Sequence, residues 1–393
     1  MRLAERMSRL GREGAFEVLA RARALEAQGR DVVHMEIGEP DSDTPANIVE
    51  AACKALRSGW THYGPSAGLP QFREAIAEEV SKTRGVVFDP DQVVVTPGGK
   101  PIIFFTILAL AGPGDEVIYP NPGFPTYESV INFVGAKAVP VRLGEEREFR
   151  VDTDELRSKV TPRTRLIIIN SPHNPCGSML SKDDLKAIAE VAVENDILVL
   201  SDEIYIRLVY DDEFQSIIQF PGMVDRTIIL DCFSKTYAMT GWRLGYGVMP
   251  KELAVHVARL MTNSNSCTAS FTQIAGIEAL TGPQEETYKM AAAFKERRDV
   301  IVKGLNAIPG ITCLLPKGAF YVFPNVKEIV RRGKFANVDA LAGWLLQEAG
   351  VALLAGTSFG EYGEGYLRLS YATSIENINK AVRRIGEAVA DLG

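Results

Sequence analysis

Lys235 follows Ser234 in the stretch DCFSKTYAMTGWRLGYG, residues 231 to 247, directly after an apolar run, and Arg243 comes eight positions later among glycines. A lysine amine with an ordinary pKa of about 10.4 is a poor nucleophile, but beside a cation or in a dry pocket it becomes usable, and lysine is the side chain that forms Schiff bases. The Arg243 guanidinium is a planar fork that suits a phosphate. Asp202 ends the apolar run ILVLSDE (197 to 203), where a carboxylate is costly to bury without a cationic partner. Tyr205, three residues on, offers a phenol to the same place. Asn174 lies in NSPHNPCG, after the run RLIIIN (165 to 170), and its amide can donate to a ligand oxygen. Gly98 and Gly99, in TPGGKP after QVVVT (92 to 96), precede a helix starting near Lys100 or Pro101. Two glycines there let backbone N–H groups approach an anion that the helix dipole favours.

Each residue also has an ordinary reading. A glycine pair before a helix is a plain turn, Asn174 before Pro175 a turn former, Asp202 a cap for the next element, and Lys235 a solvated surface lysine. Their joint occurrence after successive apolar runs is what pyridoxal phosphate requires. That cofactor needs an anion cup, a carboxylate for its pyridine nitrogen, donors for its phenolate oxygen and an amine for its aldehyde.

The elements that must position these residues are legible as runs. QVVVT, DEVIYP (115 to 120), AKAVPV (136 to 141), RLIIIN, ILVLSDE and RTIILD (226 to 231) are continuously apolar rather than alternating, as expected of parallel strands covered by helices on both faces. Helical segments lie between them, at 100 to 111 and in SKDDLKAIAEVAVEND, which opens on a serine suited to cap it. Residues 45 to 285 therefore read as an α/β domain with a mostly parallel, doubly wound sheet. Beyond it a long charged helix (ETYKMAAAFKERRDVIVKGLNAI), a strand pair at TCLLP and AFYVFP, another helix and a strand near GYLRLSYA predict a smaller α+β domain. The N-terminal helix is expected to join it, so the small domain comprises 1 to 44 and 286 to 393. In open α/β sheets ligands gather at the carboxyl ends of the strands, where these polar residues fall.

Composition excludes several classes. The 393 residues carry 43 Lys and Arg against 50 Asp and Glu, a net charge of −7 without a basic tract, which disfavours nucleic acid and anionic membranes. The run IIFFTILALAG (102 to 112) falls short of the roughly 20 residues that span a bilayer and reads as a buried helix. The N-terminus alternates charged and apolar residues at helical spacing and lacks a secretory h-region. Five scattered cysteines, none in CxxC spacing, point to a reducing cytoplasm, and four dispersed histidines form no metal-ligand cluster.

The motifs IGEPDSDTP (37 to 45), THYGPSAGLPQFREAI (61 to 76), PGGKP, NPGFPTY, NSPHNPCG, SDEIY, SKTYAMTGWRLGY and YLRLSYAT (366 to 373), in this order over nearly the whole chain, resemble those of class I aminotransferases of the aspartate aminotransferase superfamily, fold-type I pyridoxal phosphate enzymes. The resemblance implies that Lys235 bears the cofactor and shuttles the proton. It places Asp202 on the pyridine nitrogen, Asn174 and Tyr205 on the phenolate oxygen, Phe124 against the ring, and Ser234, Arg243 and the backbone of Gly99 and Lys100 on the phosphate. It implies a homodimer in which Tyr63 reaches the neighbouring active site. Arg368, helped by the backbone of Gly38 and by Asn174, would fork onto the substrate α-carboxylate. His173, Cys176 and Phe124 depart from residues frequent in the family, and a Phe stacks but offers no hydrogen bond. Lys100 suggests a distal-carboxylate reader, hence aspartate with 2-oxoglutarate as the expected pair, or else a solvent-facing lysine of which only the backbone matters. Alanine or aromatic donors, a carbon–sulfur β-lyase and a non-catalytic regulatory protein are the alternatives, the last lacking room for a DNA-binding domain.

Overall fold

The structure, a computed structural model, describes residues 1, 3–11 and 13–392. Its main sheet has seven strands: β1 (Val93–Thr96), β2 (Glu116–Asn121), β3 (Lys137–Arg142), β4 (Thr164–Asn170), β5 (Leu198–Asp202), β6 (Thr227–Cys232) and β7 (Gly245–Val248). They lie in the order β1-β7-β6-β5-β4-β2-β3. Strands β2 to β6 pair in parallel, and β7 runs antiparallel to both of its neighbours.

The apolar runs become strands because helices cover both faces. β1, β2 and β6 are buried along their whole length, and two hydrophobic clusters pack on opposite faces of the central strands, around Leu166, Ile168 and Leu200 on one and Ile167, Ile169 and Val199 on the other. Only β3, at the edge, is largely unburied. Pro140 and two terminal cations sit there, which blunts an edge against further pairing. The run GYGV of β7 is not among the expected strands, because two glycines in four residues remove the β-branched signal. It is a strand because β1 and β6 pair with it on either side.

Register brings the strand ends level. Asn170 on β4 faces Asp202 on β5, which faces Leu230 on β6. The segments leaving these three strands, carrying Asn174, Tyr205 and Lys235, thus emerge side by side. Beneath them Arg84, almost fully buried, joins two neighbouring strand ends through Glu203 at 2.9 Å and Asp231 at 3.1 Å. Glu203 also accepts from Ser201 at 2.9 Å and Ser216 at 2.6 Å. A buried ion pair stabilises only when its remaining lone pairs are satisfied, and here they are.

The chain after residue 285 builds a second core. The helix Glu285–Asn306 packs against Ile375–Ala390, and the strand Leu367–Ser370 pairs with Tyr321–Val322 on one side and Leu354–Ala355 on the other. Val33 and Met35 from the N-terminal segment are buried in the same cluster as Phe294, Phe320 and Tyr371. The expected strand at TCLLP is reduced to a single bridge between Thr312 and Asn325. Its ladder is pre-empted by the Asn306 amide, which donates to the Cys313 carbonyl at 2.9 Å and accepts from its N–H at 2.8 Å. The segments 1 to 44 and 286 to 393 include positions 2, 12 and 393, which lie outside the described residues. The run at 102 to 112 lies mainly in the helix Lys100–Leu110, which buries Ile102, Ile103, Phe105, Thr106 and Ile107, and among the described residues no helix is long and apolar enough to cross a membrane.

Candidate active site

A cavity of about 490 Å³ opens at the carboxyl ends of the strands, between the main sheet and the second core. Its lining includes Gly38, Gly99, Lys100, Phe124, Asn174, Asp202, Tyr205, Ser234, Lys235, Arg243 and Arg368. Of the residues assigned to the site from the sequence, Gly98 lies just behind the lining, next to Gly99, and Tyr63 is absent. It stands 89% exposed on the surface of this chain.

Asp202 is 3% exposed and accepts a hydrogen bond from the Tyr127 hydroxyl at 2.5 Å. Among the described residues no cation pairs with it. Burial pushes its carboxyl up to about 7, against the lowering effect of Tyr127 and the Ile204 N–H. Because the group ionises near 3.8 when unfolded, the folded chain without ligand holds a proton there that the unfolded chain has released. Stability is therefore full below about pH 4 and is lost as pH rises through about 7, by an amount on the order of 4 kcal/mol. Urea unfolding of the cofactor-free protein should show this slope in wild type and not in Asp202→Asn. Equal slopes for the two would mean that the carboxylate is compensated in some other way.

Arg368 is the complementary case. It is 4% exposed, donates to the Glu36 carbonyl and, at 3.4 Å, to Asn174 Oδ1, and lies over the rings of Tyr321 at 4.5 Å and Phe359 at 4.9 Å. Its Nε has no partner, and no carboxylate forms an ion pair with it among the described residues. Burial lowers its proton affinity. An unpaired guanidinium held between aromatic rings is a receptor for a planar anion.

Lys235 sits in the four-residue helix that follows β6, and its Nζ donates to the Gly38 carbonyl and lies 5.7 Å from the centre of the Phe320 ring. A Cβ on Gly38 would come within 2.1 Å of the Tyr321 hydroxyl. Only glycine lets that backbone enter the cavity. The Tyr205 hydroxyl pairs with that of Tyr321 at 2.9 Å, and burial raises its pKa well above 10, so it enters chemistry as a neutral hydrogen-bonding group.

The anion cup is built from backbone. Gly99 caps the helix Lys100–Leu110, whose first N–H groups are unpaired within the helix. Gly98 has φ +86°, and a Cβ there would lie 2.3 Å from Arg243 Nη2. Arg243 itself adopts φ +54° and donates to the Thr240 carbonyl at 2.9 Å, with no carboxylate partner among the described residues. A left-handed non-glycine residue costs on the order of 1–2 kcal/mol, and here it sets the fork, held by the Thr240 and Pro97 carbonyls, on the cavity wall that Gly99 and the buried Ser234 share. The Phe124 ring meets Tyr127 edge-on at 5.8 Å.

Several lining or supporting residues escaped the sequence reading. Tyr127 stands in the motif NPGFPTY, three positions after Phe124 and in the first turn of the helix Thr126–Val134. Tyr321 and Glu36 bear on the site only through pairings between distant segments. Glu13, at the N-terminus of the helix Gly14–Glu26, reaches the cavity and holds Lys100; no local pattern marks it.

The arrangement suits two anions and one cation at once: an oxyanion at the helix N-terminus, a planar anion at Arg368 and a cation beside Asp202, with an amine between them. The sequence matches the family described as aminotransferase class I and II over residues 30–385. It is 41% identical over 394 residues to the probable aspartate/prephenate aminotransferase of Aquifex aeolicus, covering 99% of both chains. It is 42% identical over 392 residues to the aspartate aminotransferase of Pyrococcus horikoshii, covering 98% of this chain and 97% of that one. Among solved structures, the aspartate aminotransferase from Thermus thermophilus with maleate superposes with a TM-score of 0.92 at 38% identity, covering 98% of this chain and all 100% of the other. The alanine aminotransferase from Pyrococcus furiosus gives 0.94 at 36% identity, with 99% and 100% covered.

Proposed function

The chain belongs to the class I and II aminotransferases, and from that premise we propose that it uses pyridoxal 5'-phosphate to move an amino group from an L-amino acid, aspartate favoured, to a 2-oxo acid, 2-oxoglutarate favoured. One observation carries the reading. Asp202 and Arg368, a carboxyl group and a guanidinium that are both buried, line one cavity and neither has an ion-pair partner among the described residues. A ring cation and a substrate carboxylate would complete them.

In this reading Asp202 faces the ring nitrogen, Asn174 and Tyr205 the phenolate oxygen, and Phe124 the ring. Ser234, Arg243 and the N–H groups of Gly99 and Lys100 hold the phosphate, and Lys235 carries the aldehyde carbon. When bound, the cofactor supplies an electron sink that makes the substrate Cα proton removable. Arg368, backed by Asn174 and the Gly38 backbone, fixes the α-carboxylate and so aims the Cα–H bond. Once the substrate amine has replaced it at the aldehyde carbon, Lys235 Nζ is a free amine that takes that proton and holds it for return, a transfer over a short fixed distance. Residues Glu13 to Phe16, at the start of the N-terminal helix, line the cavity on that side.

A homodimer is part of the proposal, with Tyr63 of the partner subunit reaching the phosphate; the exposure of that side chain on the single chain supports it. A reducing, cytoplasmic setting suits the five free cysteines. The test is a half-reaction. The holoenzyme mixed with L-aspartate and no oxo acid should release oxaloacetate in proportion to its active sites and then stop. Continuous release of pyruvate, ammonia and a thiol from L-cystathionine or another β-thio amino acid, without any oxo acid, would instead identify a carbon–sulfur β-lyase.

A further inference from the structure

The Lys100 ammonium is not free. It donates to Glu13 Oε1, and Thr126 Oγ1 lies 3.5 Å from the same oxygen. Lys100 also lies over the Phe124 ring, 5.5 Å from its centre, so the pair closes the cavity beside an aromatic wall. Both partners are partly exposed, at 48% for Lys100 and 26% for Glu13. The Glu13 charge also reaches across the cavity, since it favours the charged form of Arg368. One carboxylate of the chain thus sits on one of the two cations that the two ends of a dicarboxylate substrate would seek and is felt by the other.

We propose that Glu13 is a built-in occupant of Lys100 and determines side-chain selectivity: uncharged side chains enter with the pair closed, whereas acidic side chains enter only by displacing Glu13. This rests on the aminotransferase reading and refines its substrate class. With the pair closed, the charge of Lys100 is neutralised beside the Phe124 ring, and the cavity lining also includes Phe16 and Ile37, which suits an apolar or aromatic side chain. An incoming distal carboxylate meets a like charge already seated on its cation. Exchange of one carboxylate for another at a half-exposed lysine is inexpensive, because such pairs are weak in water. Both substrate classes therefore remain accessible to one pocket. Against a free lysine at this position, Glu13 lessens the advantage of the acidic class without removing it.

The test uses two unreactive ligands on the cofactor-loaded dimer, maleate as the dicarboxylate and 3-phenylpropanoate as the uncharged-side-chain analogue, with affinities measured calorimetrically. Glu13→Gln should bind maleate about tenfold more tightly than wild type, equivalent to about 1.4 kcal/mol, and 3-phenylpropanoate within about twofold of it. With Lys100→Gln as background, Glu13→Gln should no longer improve maleate binding. Persistence of the gain without Lys100, or an equal gain for both ligands, overturns the proposal, because Glu13 would then act by general repulsion or by loosening the N-terminal helix. Failure of wild type to bind 3-phenylpropanoate while Arg368 is intact overturns the carboxylate-receptor reading, and the inference with it. Maleate binding that is the same in wild type and Glu13→Gln overturns the inference alone.

Discussion

Lys235→Ala is expected to lower turnover by about four orders of magnitude or more, while the variant folds and still binds the cofactor. Positioned proton transfer alone contributes up to about 10⁴-fold, and here one amine is asked both to hold the cofactor carbonyl and to move the Cα proton. Folding should be nearly indifferent to the change. The lysine makes one hydrogen bond, to the Gly38 carbonyl, and one ring contact, to Phe320, whereas the phosphate and ring contacts assigned to Ser234, Arg243 and Asp202 do not depend on it. Lys235→Arg separates charge from chemistry, since a guanidinium keeps the cation but does not give up its proton. Steady-state assays of both variants decide the matter. If Arg restored activity, the charge would be the working part and the proposed proton transfer would be wrong.

The second large effect is expected at Arg368. Arg368→Met should lower kcat/KM for α-amino acids about 10³-fold, the range expected when one member of a buried, hydrogen-bonded charge pair is removed. Stability should stay within about 1 kcal/mol of wild type or rise, because an apolar side chain then replaces a buried cation that has no ion-pair partner in the protein. The same substitution at a fully satisfied structural arginine would destabilise, so the two readouts together identify a receptor. Primary amines without a carboxylate should react equally slowly with both proteins. A loss of activity that extends to those amines would place Arg368 in the scaffold rather than on the substrate.

Much of this was legible in the sequence because the strands are buried on both faces. β1, β2 and β4 to β6 announce themselves as unbroken β-branched runs, and the polar residues ending them fall where parallel strands present their carboxyl ends. Register then sets Asn170, Asp202 and Leu230 level, a fact that the pattern of runs implies without stating it. What was not legible depends on pairing between distant segments. β7 is glycine-rich and becomes a strand only between two partners. The segment at Cys313 looks like a strand and is diverted by one asparagine side chain. Tyr321 meets Tyr205 across 116 positions, and Glu13 meets Lys100 across 87. Lys100 illustrates the limit well. Its place on PGGKP allowed two readings, a substrate contact or a solvent-facing side chain, and neither anticipated a partner from the N-terminal helix.

The most direct test of the central claim is to reduce the cofactor-loaded protein with borohydride, which fixes the cofactor carbonyl permanently to whichever amine holds it, and to map the modified peptide by mass spectrometry. The account predicts one modified residue per chain, Lys235, and no modification in protein first emptied of cofactor. Attachment at Lys100 or at any other lysine would contradict it.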